Sequence, residues 1–174
     1  MPPSVAISSG WWNPTTTTTE SPYPQVTLAD TGYKVICYFT NWAWYRPGAG
    51  KYTPDDIDPA MCTHIIYGFS VLDVNDLVLK PHDPWADIDN RFFQRLVALK
   101  AKGIKVLIGL GGWNDSLGDK YSRLVNNPAA RARFVKRVVA FIKRHGFDGL
   151  DLDWEYPKCW QVNTESRYME IQTI

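Results

Sequence analysis

The sequence has little net charge, no long apolar run and few cysteines. Nineteen Lys and Arg stand against 18 Asp and Glu, leaving a formal charge of +1. A balance so even offers no electrostatic footprint for nucleic acid. The longest apolar runs, such as VLIGLGGW at 106–113, fall well short of the ~20 residues that a membrane span needs. Neither nucleic acid nor membrane is therefore expected as a partner. There is also no basic segment followed by a long apolar stretch, so no signal peptide is read. If the protein is secreted, Met1 is not the start of the natural precursor, or the chain is a piece of something longer.

What is present fits one ordinary domain: 174 residues, 45% apolar and 21% charged, enough to build a core. Aromatic residues reach 14%, with eight Trp. Flat rings exposed in a cleft are a usual way to hold sugars and other amphipathic ligands, although aromatic-rich cores are common. The first 32 residues stand apart, with five consecutive Thr flanked by Pro14, Pro22 and Pro24. They have no hydrophobic period and read as a disordered Thr/Pro-rich linker.

From Tyr33 the pattern changes. The runs KVICYFT (34–40), HIIYGFS (64–70), IKVLIGL (104–110) and FDGLDLDW (147–154) are short, rich in β-branched and aromatic residues, and bounded by turn formers. They are candidate strands. Between the second and third, Phe92, Leu96 and Leu99 recur at helical spacing, with Asp89 as candidate N-cap and Gly103 past the end. Between the third and fourth, Asn127-Pro128 opens a helix whose stripe is Phe134, Val138, Phe141 and Ile142, and Gly146 closes it. The stretch 41–60 is rich in Pro, Gly and Asp, so the first crossover is a looping one. Apolar strands separated by helices imply a parallel sheet covered by helices.

An open doubly wound sheet and a closed barrel both fit, and both place chemistry at the carboxyl ends of the strands. A dinucleotide-binding sheet should show G-x-G-x-x-G after its first strand. Here that position reads FTNWAWYRPGAG, and Gly109, Gly111 and Gly112 fall on the third strand instead. A barrel is favoured. About 140 residues after the linker supply roughly half of the ~250 that eight strands need. The expected fold is α/β, the amino-terminal half of a TIM-type (β/α)8 barrel over 33–160, followed by a divergent tail at 161–174.

The fourth strand carries the chemistry. Side chains alternate along a strand, so Asp151, Asp153 and Glu155 share one face while Leu152 and Trp154 share the other. The acids point into the barrel and the apolar pair toward the helices. Asp148 is out of phase and reads as supporting. Carboxylates ~7 Å apart along one face disfavour each other's ionisation. An outermost acid pushed upward can keep its proton and donate it to a leaving oxygen, while Asp153 shares a proton with Asp151 and switches partners.

DGLDLDWEYP (148–157) matches the D-x-x-D-x-D-x-E signature of the family-18 glycoside hydrolases, the chitinases, which this chain resembles from about Tyr33 to Trp160. KVLIGLGGWN (105–114) is similar to that family's third-strand motif, and Cys37-Tyr38 and Phe69 fall where its members carry a bridged Cys and sugar-lining rings. The aromatic pattern and CWQV look most similar to multi-domain insect chitinases. The resemblance implies hydrolysis of β-1,4-linked N-acetylglucosamine in chitin or chito-oligosaccharides, with retention and no cofactor. It assigns catalysis to Glu155, Asp153 and Asp151, and sugar contacts to Tyr38, Phe69, Gly112, Trp113 and Tyr156. It also favours a Cys37–Cys62 bridge, hence an oxidising, extracellular setting, and leaves Cys159 without a partner. The family's strand-six Tyr and strand-eight Trp have no counterpart here, so the chain is expected to carry the acid without a complete site.

Other readings stay open at this stage. An acidic cluster at a strand end can bind Mg²⁺ or Ca²⁺. Gly111 and Gly112 can exist only for close packing. The same cleft without turnover would be a chitin-binding lectin, which ordinarily requires loss of the acid, and Glu155 is present. Asn114-Asp115-Ser116 is formally a glycosylation sequon and reads as a coincidence beside the cleft.

Overall fold

Residues 32–157 are described by a computed structural model. The linker to residue 31, Cys159, Trp160 and the tail lie outside the described residues. The four expected strands form at β1 (Ile36–Thr40), β2 (His64–Leu72), β4 (Lys105–Gly111) and β5 (Gly149–Asp153), and they pair in the order β1-β2-β4-β5, all parallel. Each parallel strand is added to the same edge as its predecessor. An open doubly wound sheet would reverse that order at a switch point, so the topology is that of a barrel wall.

Curvature supports the same conclusion. Tyr38 on β1 and Asp151 on β5 are separated by three inter-strand gaps, roughly 14 Å in a flat sheet. Side chains stand perpendicular to such a sheet. Yet the Tyr38 hydroxyl donates to Asp151 Oδ2 at 3.0 Å, which requires the wall to curl toward closure.

One face of the wall is dry. Cys37, Phe39, Ile65, Tyr67, Val106, Ile108 and Leu110 pack against α1 (Phe92–Val97) and α3 (Pro128–His145). Phe93 is the keystone of that layer, in edge contact with Tyr67 at 4.8 Å, Phe147 at 5.3 Å and Phe141 at 5.8 Å between ring centroids. The helix termini follow local chemistry. Asn127 caps α3 by accepting from the Ala130 amide at 3.0 Å, Pro128 occupies the first turn, and Gly146 ends the helix with φ at 81°. Phe134, Val138, Phe141 and Ile142 form the expected stripe against the core.

Asp89 does not cap α1. Residues Trp85–Asp89 wind a π-type turn of their own, and the chain re-enters helix through Arg91 at φ 59°. The capping carboxylate stands at the start of that turn, where Asp83 Oδ1 accepts from the Trp85 and Ala86 amides at 3.1 and 3.2 Å. After α1 the chain tightens into a 3-10 turn, Ala98–Lys102, that Gly103 closes. The crossover after β1 is a looping one, made of short 3-10 turns between Asn41 and Met61.

Two elements were not expected: β3 (Leu79–Pro81), antiparallel to β2, and α2 (Lys120–Val125). Both are too short to show a hydrophobic period. The Cys37–Cys62 bridge is formed, with Cα atoms 6.0 Å apart, and ties β1 to the turn entering β2.

Candidate active site

The site is built where β4 meets β5. In a parallel ladder, paired residues share a face, and the register sets Gly109 beside Asp151 and Gly111 beside Asp153. The acids therefore have no side-chain neighbour on β4. A Cβ at Gly109 would approach the Phe69 ring to 2.8 Å, and one at Gly112 would meet it at 3.1 Å. Gly112, at φ +82°, also donates its amide to the Asp153 carbonyl at 2.8 Å. Close packing and room for the carboxylates are thus one requirement.

Each acid has a distinct environment. Asp151 accepts from the Tyr38 hydroxyl, and burial followed by this bond and the charges of Asp151, Asp153 and Glu155 pushes the phenol up to about 12. Asp153 is raised above the ordinary carboxylate range, first by burial, then by the charges of Glu155 and Asp151 and by a hydrogen bond with the Glu155 carboxyl.

Asp148 faces elsewhere, as its phase predicts. Its Oδ2 accepts from the Val106 amide at 2.8 Å and its Oδ1 pairs with Lys100 at 2.9 Å. Burial alone would raise this carboxyl, but the amide and the ammonium outweigh burial and hold it below its ordinary value. It anchors the entry to β5 rather than the cleft.

Aromatic side chains form a wall on the β1–β2 side. Phe69 lies 6.2 Å from Tyr38 and, nearly parallel at 23°, 6.2 Å from Trp42. Trp42 is half-exposed; it was not singled out from the sequence, where nothing distinguishes it from Trp44, whose ring packs on Trp85 and Phe92. Trp113 follows Gly112 and is exposed, and Tyr156 follows Glu155 and is exposed. Trp154 turns to the helix side, stacked on Tyr121 at 5.6 Å. Leu152 shares that side but is exposed. Among the described residues, no group of three or more His, Cys, Asp or Glu is arranged to hold a metal ion.

The turn after β4, which carries the Asn114-Asp115-Ser116 sequence, is packed against the segment that holds the acids. Ser116 is buried, and its hydroxyl accepts from the Glu155 amide at 2.8 Å. Asp115 accepts from the Leu72 amide at 3.1 Å, from the Tyr121 hydroxyl at 2.7 Å, and from Lys120. The partners come from β2, from α2 and from the residues just past β5, so no local pattern could have announced them.

The family model for glycosyl hydrolases family 18 matches residues 34–171. The chain belongs to this family. It is 60% identical over 161 residues to a Drosophila melanogaster protein named Probable chitinase 10, covering 92% of this chain and 7% of that one. Among solved structures it is similar to catalytic domain 2 of an Ostrinia furnacalis Group II chitinase, at 65% identity and TM-score 0.74, over 77% of this chain and 35% of that one. A mutant of the same domain in complex with penta-N-acetylchitooctaose matches at TM-score 0.73 and 65% identity, over 75% of this chain and 34% of that one. The chain therefore spans about a third of the matched domain, and its curled parallel wall is part of a family-18 TIM-type barrel. The family-18 signature DGLDLDWEYP lies on β5 and the turn that follows it.

Proposed function

We propose that this chain carries the acid-bearing wall of a chitinase cleft, and that the protein hydrolyses β-1,4-linked N-acetylglucosamine with retention by a substrate-assisted route. One observation carries the reading. Asp151 and Asp153 lie in sequence on β5 with Glu155 just past its end, the charges of Glu155 and Asp151 both raise the Asp153 carboxyl, and the Tyr38 hydroxyl holds Asp151.

On this reading Glu155 protonates the glycosidic oxygen while the substrate's own acetamido carbonyl attacks the anomeric carbon. Asp153, disengaging from Glu155, orients the acetamido N–H and balances the positive charge of the oxazolinium ion. Asp151, held by the Tyr38 hydroxyl, fixes the inner end of the series and supports Asp153. Glu155 then returns as base to activate water. Phe69, Trp42 and Trp113 offer apolar faces on which pyranose rings can stack. No protein nucleophile is required.

The extracellular assignment rests on the Cys37–Cys62 bridge, which persists in oxidising compartments. The remaining walls of the cleft are assigned to sequence outside the matched third, so the isolated chain is expected to bind chito-oligosaccharides without efficient turnover. The test is incubation of chitopentaose with this chain and with a longer form that supplies a whole barrel, products being read by mass spectrometry. The long form should release shorter sugars, and Glu155→Gln should abolish that release. Release undiminished in Glu155→Gln would remove the catalytic assignment, whereas binding without release by the long form would make it a lectin. Efficient, Glu155-dependent turnover by the short chain would overturn the incompleteness.

A further inference from the structure

We propose that Ser116 is a positioning residue for the acid, its hydroxyl fixing the Glu155 main chain against the turn that follows β4; this rests on the reading of Glu155 as the proton donor. Glu155 lies beyond the end of β5 at Asp153. Its amide has no ladder partner among the described strands and instead donates to Ser116 Oγ at 2.8 Å. The same hydroxyl points its proton at the Asp153 carbonyl, 3.4 Å away, so one side chain spans the peptide units on either side of Trp154.

Ser116 is itself immobilised. It is 4% exposed, and its amide donates to the Gly112 carbonyl at 3.0 Å, closing the turn. Next to it, the Asp115 carboxylate holds that turn to β2 through the Leu72 amide and to α2 through Tyr121 and Lys120. Lys120 also donates to the Leu72 carbonyl at 3.1 Å. Tyr121, 2% exposed, stacks on Trp154 from the helix side. The segment Asp153–Glu155 is thus gripped on one side by Ser116 and on the other by Tyr121, both fastened through Asp115. A proton donor must hold its place to a fraction of an ångström, and a donor on an unpaired strand end would not do so unaided.

The test uses the full chain and needs no turnover. Amide hydrogen exchange and the ¹³C titration of the Asp153 carboxyl are followed by NMR in the wild type, Ser116→Ala and Ser116→Cys. The Cys variant keeps the volume with a poor acceptor and serves as the comparison if the Ala variant fails to fold by near-UV circular dichroism. The expected result is about tenfold faster exchange at the Glu155 amide, with Leu110 and Leu152 unchanged. The Asp153 midpoint should also fall toward the ordinary carboxylate range as Glu155 drifts from it. Unchanged exchange at Glu155 together with an unchanged Asp153 midpoint would overturn the proposal. So would equal acceleration at Leu110 and Leu152, which marks general loosening. If the hydrolase reading fails instead, the long form releases no sugar while these NMR differences remain, so the two failures are distinguishable.

Discussion

A Cβ placed on Gly111 would stand 2.3 Å from the main-chain oxygen of Asp153. The β4 backbone and the middle acid of the site are that close, and Gly111 also has φ +121°, a conformation that L side chains rarely adopt. Gly111→Ala therefore has to move backbone rather than a side chain. It is expected to lower stability by at least about 2 kcal/mol in urea denaturation. Gly118 provides the control: its φ is +81° but an added Cβ would meet nothing within 4 Å. Gly118→Ala should cost only the backbone strain, about 1 kcal/mol. Equal losses at the two positions would mean that contact with Asp153 contributes nothing.

The pH dependence of stability tests the electrostatics at Asp153. Its carboxyl is raised in the folded state by burial, by Glu155 and by Asp151. A raised folded value means that the protonated form is favoured by folding. The associated stability is fully present below the unfolded value of about 3.9 and is lost as pH rises through the folded value. Asp153→Asn removes the charge that neutral pH imposes. The variant should melt above the wild type at pH 7, and the gap should narrow as pH falls to about 3 in thermal melts. A gap independent of pH would show that Asp153 ionisation is not strained. The same substitution is expected to abolish hydrolysis by the long form, so stability and activity should move in opposite directions.

Much of this site was legible in the sequence because it lies on one strand. Alternation alone puts Asp151, Asp153 and Glu155 on one face and Asp148 out of phase, and the register of β4 with β5 sets Asp151 and Asp153 on one face, beside Gly109 and Gly111. The barrel was legible from apolar strands alternating with helices and from the absence of a glycine-rich turn after the first. The legible parts end where partners come from distant segments. Asp115 looks like an ordinary loop residue until β2 and α2 are folded around it. The N-cap assigned to Asp89 failed because a π-type turn precedes α1, and a five-residue turn of that kind leaves no periodic signal. Trp42 and Trp44 are two residues apart in one 3-10 turn, yet one stacks on Phe69 and the other packs on Phe92. Only the turn geometry separates them.

Asp148 supplies a test of opposite sign. The Val106 amide and Lys100 together hold its carboxyl low despite burial. Stability from a depressed carboxyl is present above its unfolded value and is lost as pH falls through the folded one. Asp148→Asn should lower stability by about 1 kcal/mol at pH 7, a modest figure because the pair is partly solvated. In urea titrations the deficit should shrink as pH falls below the unfolded value of about 3.9 and through the depressed folded one, as the wild-type carboxylate is itself protonated. Hydrolysis by the long form should survive, since Asp148 anchors β5 from outside the cleft. Loss of activity without loss of stability would move it into the catalytic set.

Beneath the aromatic wall lies a buried carboxylate. Asp87 is 1% exposed and accepts from Tyr67 Oη, from Asn41 Nδ2 at 3.0 Å and from the Asp83 amide at 3.0 Å. Burial raises its carboxyl in spite of these donors. Asn41 immediately precedes Trp42, so the cluster ties the base of that ring to β2 and to the π-type turn. Tyr67→Phe removes one donor while keeping the ring among Phe39 and Phe93. It should cost about 1 to 3 kcal/mol in urea at pH 7 and less under acid conditions, because a protonated Asp87 needs fewer donors. If the cluster also steadies Trp42, tryptophan fluorescence should lose part of its quenching response to added chitopentaose. A destabilised variant with an unchanged response would confine Asp87 to the core and leave the wall independent of it.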